Sequence, residues 1–219
     1  MQSPMRLRYC SAISIFCLVS NPAIQTIDEQ KTLATLATDL CLNHDGDHRA
    51  TWQRATESGY SESPEPEIRS LSLVGNFATH LRGFQRRTRG GMERVLTSSL
   101  WIRGPDDGTS YFRICWVSST SANLRDVTRQ LRQELGGNYF RAEKTLVYAW
   151  IPRPDGTNEF VPRRIFMRRN LTLAREQGMR QVMVRQYGEG VFVSYLSPRD
   201  EATYRYFDWS GPPPVSRPE

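Results

Sequence analysis

The chain has few of the residues on which most enzyme and metal sites depend. Its 219 residues contain three histidines, His44, His48 and His80, and four cysteines. No Gly-x-Ser-x-Gly, His-Glu-x-x-His or Cys-x-x-Cys pattern occurs in it. No local pattern therefore supplies a nucleophile with its base, or a zinc site. A catalytic pair of carboxylates from distant segments stays open, but the sequence favours a protein that is not an enzyme and that needs no cofactor.

Lysine is almost absent from the basic residues. The chain has 29 lysines and arginines together, and only Lys31 and Lys144 are lysines. So strong a bias toward arginine is typical of the coding preference of a GC-rich genome. The formal net charge of +6 is therefore weak support for a nucleic-acid partner.

The chain also lacks a long apolar run. The apolar stretch at residues 11–20 is about half as long as the roughly 20 residues that a membrane-spanning helix needs. It follows Arg6 and Arg8 and precedes Asn21-Pro22-Ala23, which is the pattern of an export signal peptide. We expect this leader to cover residues 1–23, and the mature chain to be periplasmic or secreted with no membrane span. A membrane span or a buried helix of a cytoplasmic protein are the alternatives for this segment.

The predicted leader divides the four cysteines into two pairs. Cys10 and Cys17 fall inside the leader, whereas Cys41 and Cys115 remain in the mature chain. An even number of cysteines in an oxidising compartment predicts a disulfide between Cys41 and Cys115. Two separate buried thiols are the alternative.

Three segments have the apolar spacing and capping residues of helices. Thr26 and Glu29 form a capping box, which predicts a helix over residues 27–42. Asp47 is well placed to cap a second helix over residues 48–58. Asn123 is placed in the same way for a third helix, which Gly136 and Gly137 should end.

Three pairs of apolar, β-rich runs are separated by turn residues and predict hairpins. The pairs are residues 95–102 with 110–118, 145–151 with 160–167, and 181–186 with 191–196. A further strand is expected at residues 68–74, after an exposed connector at residues 60–67. The pattern predicts an α+β fold, a mostly antiparallel sheet built from hairpins with the helices packed on one face. We expect one domain over residues 24–209 and a disordered, proline-rich tail over residues 210–219.

The densest group of potential metal ligands is a turn between the first two helices. His44, Asp45, Asp47 and His48 lie within five consecutive residues. The turn lacks the ligand order of a calcium loop, and no further ligands at zinc-site spacing accompany it. We therefore expect a solvated turn that caps a helix, with these four residues as weak metal candidates and no metal bound.

Two arginine clusters are candidate anion-binding sites. Arg86 and Arg87 lie in one cluster, and Arg163 and Arg164 lie in the other. Arginines beside aromatic residues are typical of proteins that bind single strands. If residues 160–167 form a strand, however, Arg163 and Arg164 point to opposite faces. Anionic components of the cell envelope suit an exported protein better than nucleic acid does.

Three functional hypotheses follow. The favoured one is an exported protein of the bacterial envelope that acts by binding or by a structural interaction. The second is a hydrolase with a site near the turn from His44 to His48. The third is a basic nucleic-acid-binding protein, whose affinity would fall steeply with salt concentration.

Overall fold

A nine-stranded sheet forms the centre of the structure. The computed structural model describes residues 32–64, 78–104 and 108–206, which belong to one compact unit. The strands in chain order are β1 (Ser61–Glu62), β2 (Ala78–Thr88), β3 (Gly91–Arg103), β4 (Thr109–Ser119), β5 (Phe140–Ala142), β6 (Thr145–Pro152), β7 (Asn158–Phe160), β8 (Arg180–Tyr187) and β9 (Gly190–Arg199). The helices are α1 (Leu33–Ala37), which continues as a π-helical turn (Thr38–Leu42), α2 (His48–Glu57), α3 (Leu124–Leu135), α4 (Arg163–Gln177) and α5 (Glu201–Tyr206).

The sheet is built from antiparallel neighbours. Its strand order is β1-β2-β3-β4-β9-β8-β6-β5, and β7 pairs with β6. Every strand pair in the described ranges is antiparallel. The predicted α+β class with a mostly antiparallel sheet is therefore confirmed.

Two of the three predicted hairpins form as expected. The hairpin of β3 and β4 pairs Ile102 with Ser110, and the hairpin of β8 and β9 pairs Gln186 with Val191. In both, a short glycine-containing connection fixes which strands are neighbours.

The prediction for residues 160–167 is wrong in its second half. Strand β7 ends at Phe160, and α4 begins at Arg163. Pro162 has no N–H and a fixed φ, which suits the start of a helix. Phe166 and Leu173 then fall on the buried side of the helix, and Gly178 ends it with a φ of +66°. The predicted hairpin therefore forms only with the three residues of β7, and the longest ladder of β6 is with β8.

Helices cover both faces of the sheet, and not only the one face that the sequence predicted. The three helices that the sequence predicted, α1, α2 and α3, share one face, where residues such as Leu40, Trp52 and Leu131 join a core with Cys115 and Tyr148. Helix α4, which replaces the predicted strand, packs on the other face. Phe166 and Leu173 lie there in a second core with Ile114 and Trp116. Because Cys115 and Trp116 are adjacent in β4, their side chains point to opposite faces.

The predicted disulfide is present. Cys41 in the π-helical turn is bonded to Cys115 in β4, with 5.5 Å between the Cα atoms. The bond ties the end of the first helical segment to the central strands, just before the turn that contains Asp45.

The predicted helix caps are also present where the structure describes them. The side chain of Asp47 accepts a hydrogen bond from the Ala50 N–H, and that of Asn123 accepts from the Arg125 N–H. Gly136 ends α3 with a φ of +65°. The first helix is capped by Thr32 in the described range, and residues 26–31 lie outside it.

The connector predicted at residues 60–67 is only partly an exposed segment. Tyr60 is buried, and β1 pairs with β2. The predicted leader at residues 1–23, the strand at residues 68–74 and the tail at residues 210–219 lie outside the described residues. Within the described ranges, no helix has the length and apolarity to cross a bilayer.

Candidate functional site

The turn from His44 to His48 is bound to the sheet by arginines. Asp45 has a φ of +50°. Its carboxylate accepts hydrogen bonds from Arg180 Nε and Nη2, at 2.6 and 2.8 Å, and from the hydroxyls of Tyr195 and Ser197, at 2.6 and 2.7 Å. Arg199 Nη2 donates to the main-chain carbonyl of Asp45 at 2.6 Å. These five residues are called the Asp45 cluster below.

The electrostatics of the Asp45 cluster keep its carboxylate ionised. Burial alone would raise the pKa of Asp45. Hydrogen bonds from Arg180, Tyr195 and Ser197 and the charge of Arg199 outweigh burial, so the pKa lies far below its usual value. A carboxylate with such a low pKa is a poor general base near neutral pH. The hydrogen bonds of the Asp45 carboxylate instead hold the turn against β8 and β9.

The neighbouring residues of the turn are also engaged within the fold. Asp47 caps α2 and accepts a hydrogen bond from Arg113 Nη1 at 3.3 Å. His48 is fully buried, with its ring centroid 6.1 Å from that of Trp52. Burial, followed by the charges of Arg113 and His80, lowers the pKa of His48 to about 3. His48 is therefore neutral near pH 7 and closed off from solvent.

The four weak metal candidates have different surroundings. Asp45 and Asp47 face arginines, and His48 lies in the core. His44 lines a depression of about 390 Å³ together with Asp39 and Glu57. Across the ranges that the structure describes, no three His, Cys, Asp or Glu side chains are grouped to hold a metal ion.

Arg86, the first anion-binding candidate, is part of an internal ion pair. Glu93 is only 2% exposed and accepts hydrogen bonds from Arg86 Nε and Nη2, at 3.2 and 2.9 Å, and from the Tyr60 hydroxyl at 2.8 Å. The Arg86 guanidinium also lies over the Tyr60 ring and donates to the Ser58 carbonyl. Its charge is neutralised inside the fold. Arg87, the next residue of β2, is exposed.

The second pair of candidates lies in the first turn of α4. Arg163 Nε donates to the main-chain carbonyl of Arg141 at 3.1 Å, and Arg164 is exposed. Because this segment is helical, the expectation that Arg163 and Arg164 point to opposite faces of a strand is wrong. The structure does not bring the two pairs together. Arg86 and Arg87 are on β2, whereas Arg163 contacts β5, and β3, β4, β9, β8 and β6 lie between those strands.

A groove of about 790 Å³ lies between α3 and the β5–β6 edge of the sheet. Arginines dominate its lining. The lining residues are Asn123, Leu124, Arg125, Thr128, Arg129, Arg132, Tyr139, Arg141, Leu146 and Gln186. It is called the arginine groove below, and none of the described residues that line it is a carboxylate.

The secondary structure places three of these arginines in one row. Arg125, Arg129 and Arg132 are separated by four and three residues on α3, so they share one side of the helix. Leu131 and Val127, on another side, are buried against the sheet. The packing of α3 by its apolar stripe therefore leaves the arginine row at the groove.

The walls of the groove are fixed to each other. The Tyr148 hydroxyl, on β6, donates to the carbonyl of Thr128 on α3 at 2.9 Å. Burial, aided by nearby Tyr139, raises the pKa of Tyr148 to about 12, so the hydroxyl keeps its proton. Tyr139 packs against Tyr148 with 5.5 Å between ring centroids and is 41% exposed. Part of its ring thus remains available to a ligand.

Most of the positive charge in the groove is not neutralised by the protein. Arg129 pairs with Asp126 of its own helix at 2.7 Å. Arg125, Arg132 and Arg141 are exposed and form no ion pair with another described residue. A guanidinium group presents several donors in a plane and suits phosphate and carboxylate oxygens. The arrangement can therefore hold an anion.

The sequence interpretation did not single out the arginine groove. The spacing of Arg125, Arg129 and Arg132 on a predicted helix was sufficient to predict that the three arginines share one side of it. Tyr139, Arg141 and the other wall residues carry no local pattern, because strand order alone brings them to α3. Comparison of the chain with protein-family models, with curated proteins and with solved structures finds no match.

Proposed function

We propose that the chain is an exported, disulfide-stabilised protein of the bacterial envelope that binds an anionic ligand in the arginine groove. The observation that carries this proposal is a groove whose described lining contains four arginines and no carboxylate. Such a lining raises the local concentration of anions and repels cations.

The size and the chemistry of the groove define the ligand class. Its volume of about 790 Å³ is in the range of sites that hold small molecules or a short piece of a polymer. Arg125, Arg132 and Arg141 would contact phosphate or carboxylate groups. The exposed part of the Tyr139 ring would cover a less polar portion of the same ligand. A phosphorylated or carboxylated envelope polymer fits this combination.

Two independent features support export. Residues 1–23 have the order of a signal peptide, with arginines, a short apolar run and a break. The bond between Cys41 and Cys115 is of a kind that persists in oxidising compartments and is rare in the bacterial cytoplasm.

The binding proposal is tested by calorimetric titration with two probes, a short polyphosphate and an oligogalacturonate. Arg132→Gln combined with Arg141→Gln should weaken the preferred probe by about a hundredfold, because each charged hydrogen bond is worth roughly 1.5 kcal/mol. The matched control combines Arg87→Gln with Arg89→Gln, which removes the same charge from the exposed end of β2 and the turn after it. An equal loss in the control would show that net charge, rather than the groove, binds the probe.

Export is tested separately by the intact mass of the protein expressed from its full-length gene in a bacterium. The measurement is made with and without thiol alkylation under denaturing conditions. We expect the loss of a segment that ends near Ala23, and no alkylation of Cys41 or Cys115. A full-length mass with every cysteine alkylated would refute export, and salt-dependent binding of nucleic acid would then be measured.

A further inference from the structure

The two walls of the arginine groove offer different chemistry to a ligand. The wall formed by α3 carries the row of Arg125, Arg129 and Arg132. The opposite wall, at the β5–β6 edge of the sheet, carries the exposed part of the Tyr139 ring together with the Arg141 side chain. A ligand that fills the groove therefore meets a line of charged donors on one side and an aromatic ring on the other.

The aromatic ring in the groove is supported from behind. Tyr139 directly precedes β5, and its ring packs against that of Tyr148. Tyr148 is buried and is itself held by its hydrogen bond to the Thr128 carbonyl. A ring supported in this way gives a preformed apolar surface, and a ligand that packs on it orders few further bonds. A chain of phosphates has no apolar face to place there, so the groove suits an anion with a carbon framework.

Two side-chain amides add neutral hydrogen-bonding groups to the lining of the groove. Asn123 uses its side-chain oxygen to cap α3, which leaves its amide nitrogen as a donor. Gln186, at the end of β8, is exposed and offers both a donor and an acceptor. Carboxylate and phosphate oxygens only accept hydrogen bonds, whereas hydroxyl groups also donate them. A ligand that carries hydroxyls as well as acid groups would therefore satisfy the whole lining.

The spacing of the arginines along α3 indicates how long the ligand should be. Arg125 and Arg132 form no ion pair with a described residue. They are seven positions apart, which corresponds to about 10 Å along the helix axis. A single sugar with one acid group contacts only one of them. A ligand that neutralises both must carry acid groups on separate rings of a short chain.

We propose that the arginine groove binds a short run of acidic sugars, an inference that rests on the function proposed above. The carboxylates of successive sugars pair with the arginine row, and one sugar ring packs on Tyr139. The C–H groups on one face of a pyranose make that face apolar, while its hydroxyls lie around the edge. Single-stranded nucleic acid also combines rings with charge, but its binders stack successive bases on several aromatic side chains. Tyr139 is the one aromatic residue in the described lining, which favours the sugar.

The test is calorimetric titration of the full chain with trigalacturonate, galacturonate and tripolyphosphate. Galacturonate should bind about tenfold more weakly than trigalacturonate, because it reaches only one end of the arginine row. Tyr139→Leu should weaken trigalacturonate about fivefold through loss of the ring contact, and it should leave the affinity for tripolyphosphate unchanged. Tyr139→Phe keeps the ring and should keep the affinity for both. The matched control is Trp101→Leu, which removes an exposed aromatic ring elsewhere on the sheet.

The outcomes separate the sugar assignment from the proposed function. Equal affinities for galacturonate and trigalacturonate, measured on the unaltered chain, would overturn the assignment without relying on any variant. So would an equal effect of Tyr139→Leu on trigalacturonate and tripolyphosphate, or tighter binding of a short oligothymidylate than of trigalacturonate. In each of these cases, weaker tripolyphosphate binding by Arg132→Gln with Arg141→Gln would still support an anion site in the groove. If that double variant bound every probe as well as the unaltered chain, the proposed function and the sugar assignment would both be refuted.

Discussion

The arginines of the Asp45 cluster and those of the arginine groove have opposite electrostatic surroundings. Arg180 and Arg199 both bond to Asp45, at distances down to 2.6 Å. Arg132 and Arg141 lie in the groove, where no carboxylate is found among the lining residues that the structure describes. The residue type is the same in both regions, so the presence of a partner decides whether an arginine stabilises the fold or is available to a ligand.

The two regions also differ in burial. The side chains of Arg180 and Arg199 are 26% and 16% exposed, whereas the groove arginines are largely exposed to solvent. Removing one partner of a partly buried pair leaves a charge with poor solvation. Removing a solvated arginine leaves no buried charge without a partner, so its effect on the free energy of unfolding should be small. Stability measurements should therefore separate the two regions clearly.

The largest expected effect is loss of the disulfide that stabilises the region of the Asp45 cluster. Cys41→Ala combined with Cys115→Ala removes a bond between residues 74 positions apart. On the chain-entropy model this lowers the free energy of unfolding by about 4 kcal/mol. Urea unfolding followed by circular dichroism measures the loss. A change below about 1 kcal/mol would mean that the bond hardly constrains the unfolded chain.

The next effect comes from the carboxylate of the Asp45 cluster. Asp45→Asn leaves Arg180 and Arg199 without their counter-charge. Breaking a buried pair costs about 3 to 5 kcal/mol, but Asp45 is 39% exposed and solvent screens it, so we expect about 2 kcal/mol.

The matched control for Asp45→Asn is Glu57→Gln. It removes the carboxylate of a surface pair with Arg54, in which both side chains are about half exposed. Its effect on the urea midpoint should correspond to less than about 0.5 kcal/mol. Equal effects of the two variants would contradict the distinction between anchored and solvated charges.

A pH-dependent effect of similar size is expected from His48, which lies beside the Asp45 cluster. Its pKa is about 3 in the folded protein, against 6.5 for an unperturbed histidine. Below pH 6.5 the unfolded chain takes up a proton that the folded protein does not, so stability falls as pH decreases. The loss attributable to His48 is about 2 kcal/mol at pH 5.

The variants His48→Asn and His44→Asn test this assignment by urea unfolding between about pH 7 and pH 5. His48→Asn should flatten the pH dependence, whereas His44→Asn, which changes a partly exposed histidine of the same turn, should preserve it. Titration of Asp45 does not interfere, because its depressed pKa confines its effect to lower pH. An unchanged slope in His48→Asn would assign the pH dependence to other groups.

The sequence predicted those parts of the fold that depend on local signals. Asp47 and Asn123 mark helix starts by their capping side chains, and glycines mark the connections of two hairpins. The start of α4 also had a local signal, Pro162, but the apolar run at residues 160–167 resembled a strand. The helix is favoured because it buries Phe166 and Leu173 against the second face of the sheet, and this packing is not visible in the local sequence.

The Asp45 cluster could not be predicted from the sequence, for a physical reason. Asp45 and Arg180 are separated by 135 positions, and their contact depends on the order of β8 and β9 in the sheet. The same holds for Arg141 and α3 in the groove. A turn rich in potential metal ligands and a row of arginines were visible, but the partners that decide their roles come from distant segments.

The last comparison takes one arginine from each region, and its groove variant has the smallest expected effect. Arg180→Gln leaves Asp45 partly buried without its main partner and should destabilise the protein by about 2 kcal/mol. Arg132→Gln changes a solvated side chain and should shift the free energy of unfolding by less than about 0.5 kcal/mol. Parallel urea titrations of the two variants make the comparison at the same net charge. If Arg132→Gln proved as destabilising as Arg180→Gln, the groove arginine would be part of the folded core, and an available ligand site would no longer explain its unpaired charge.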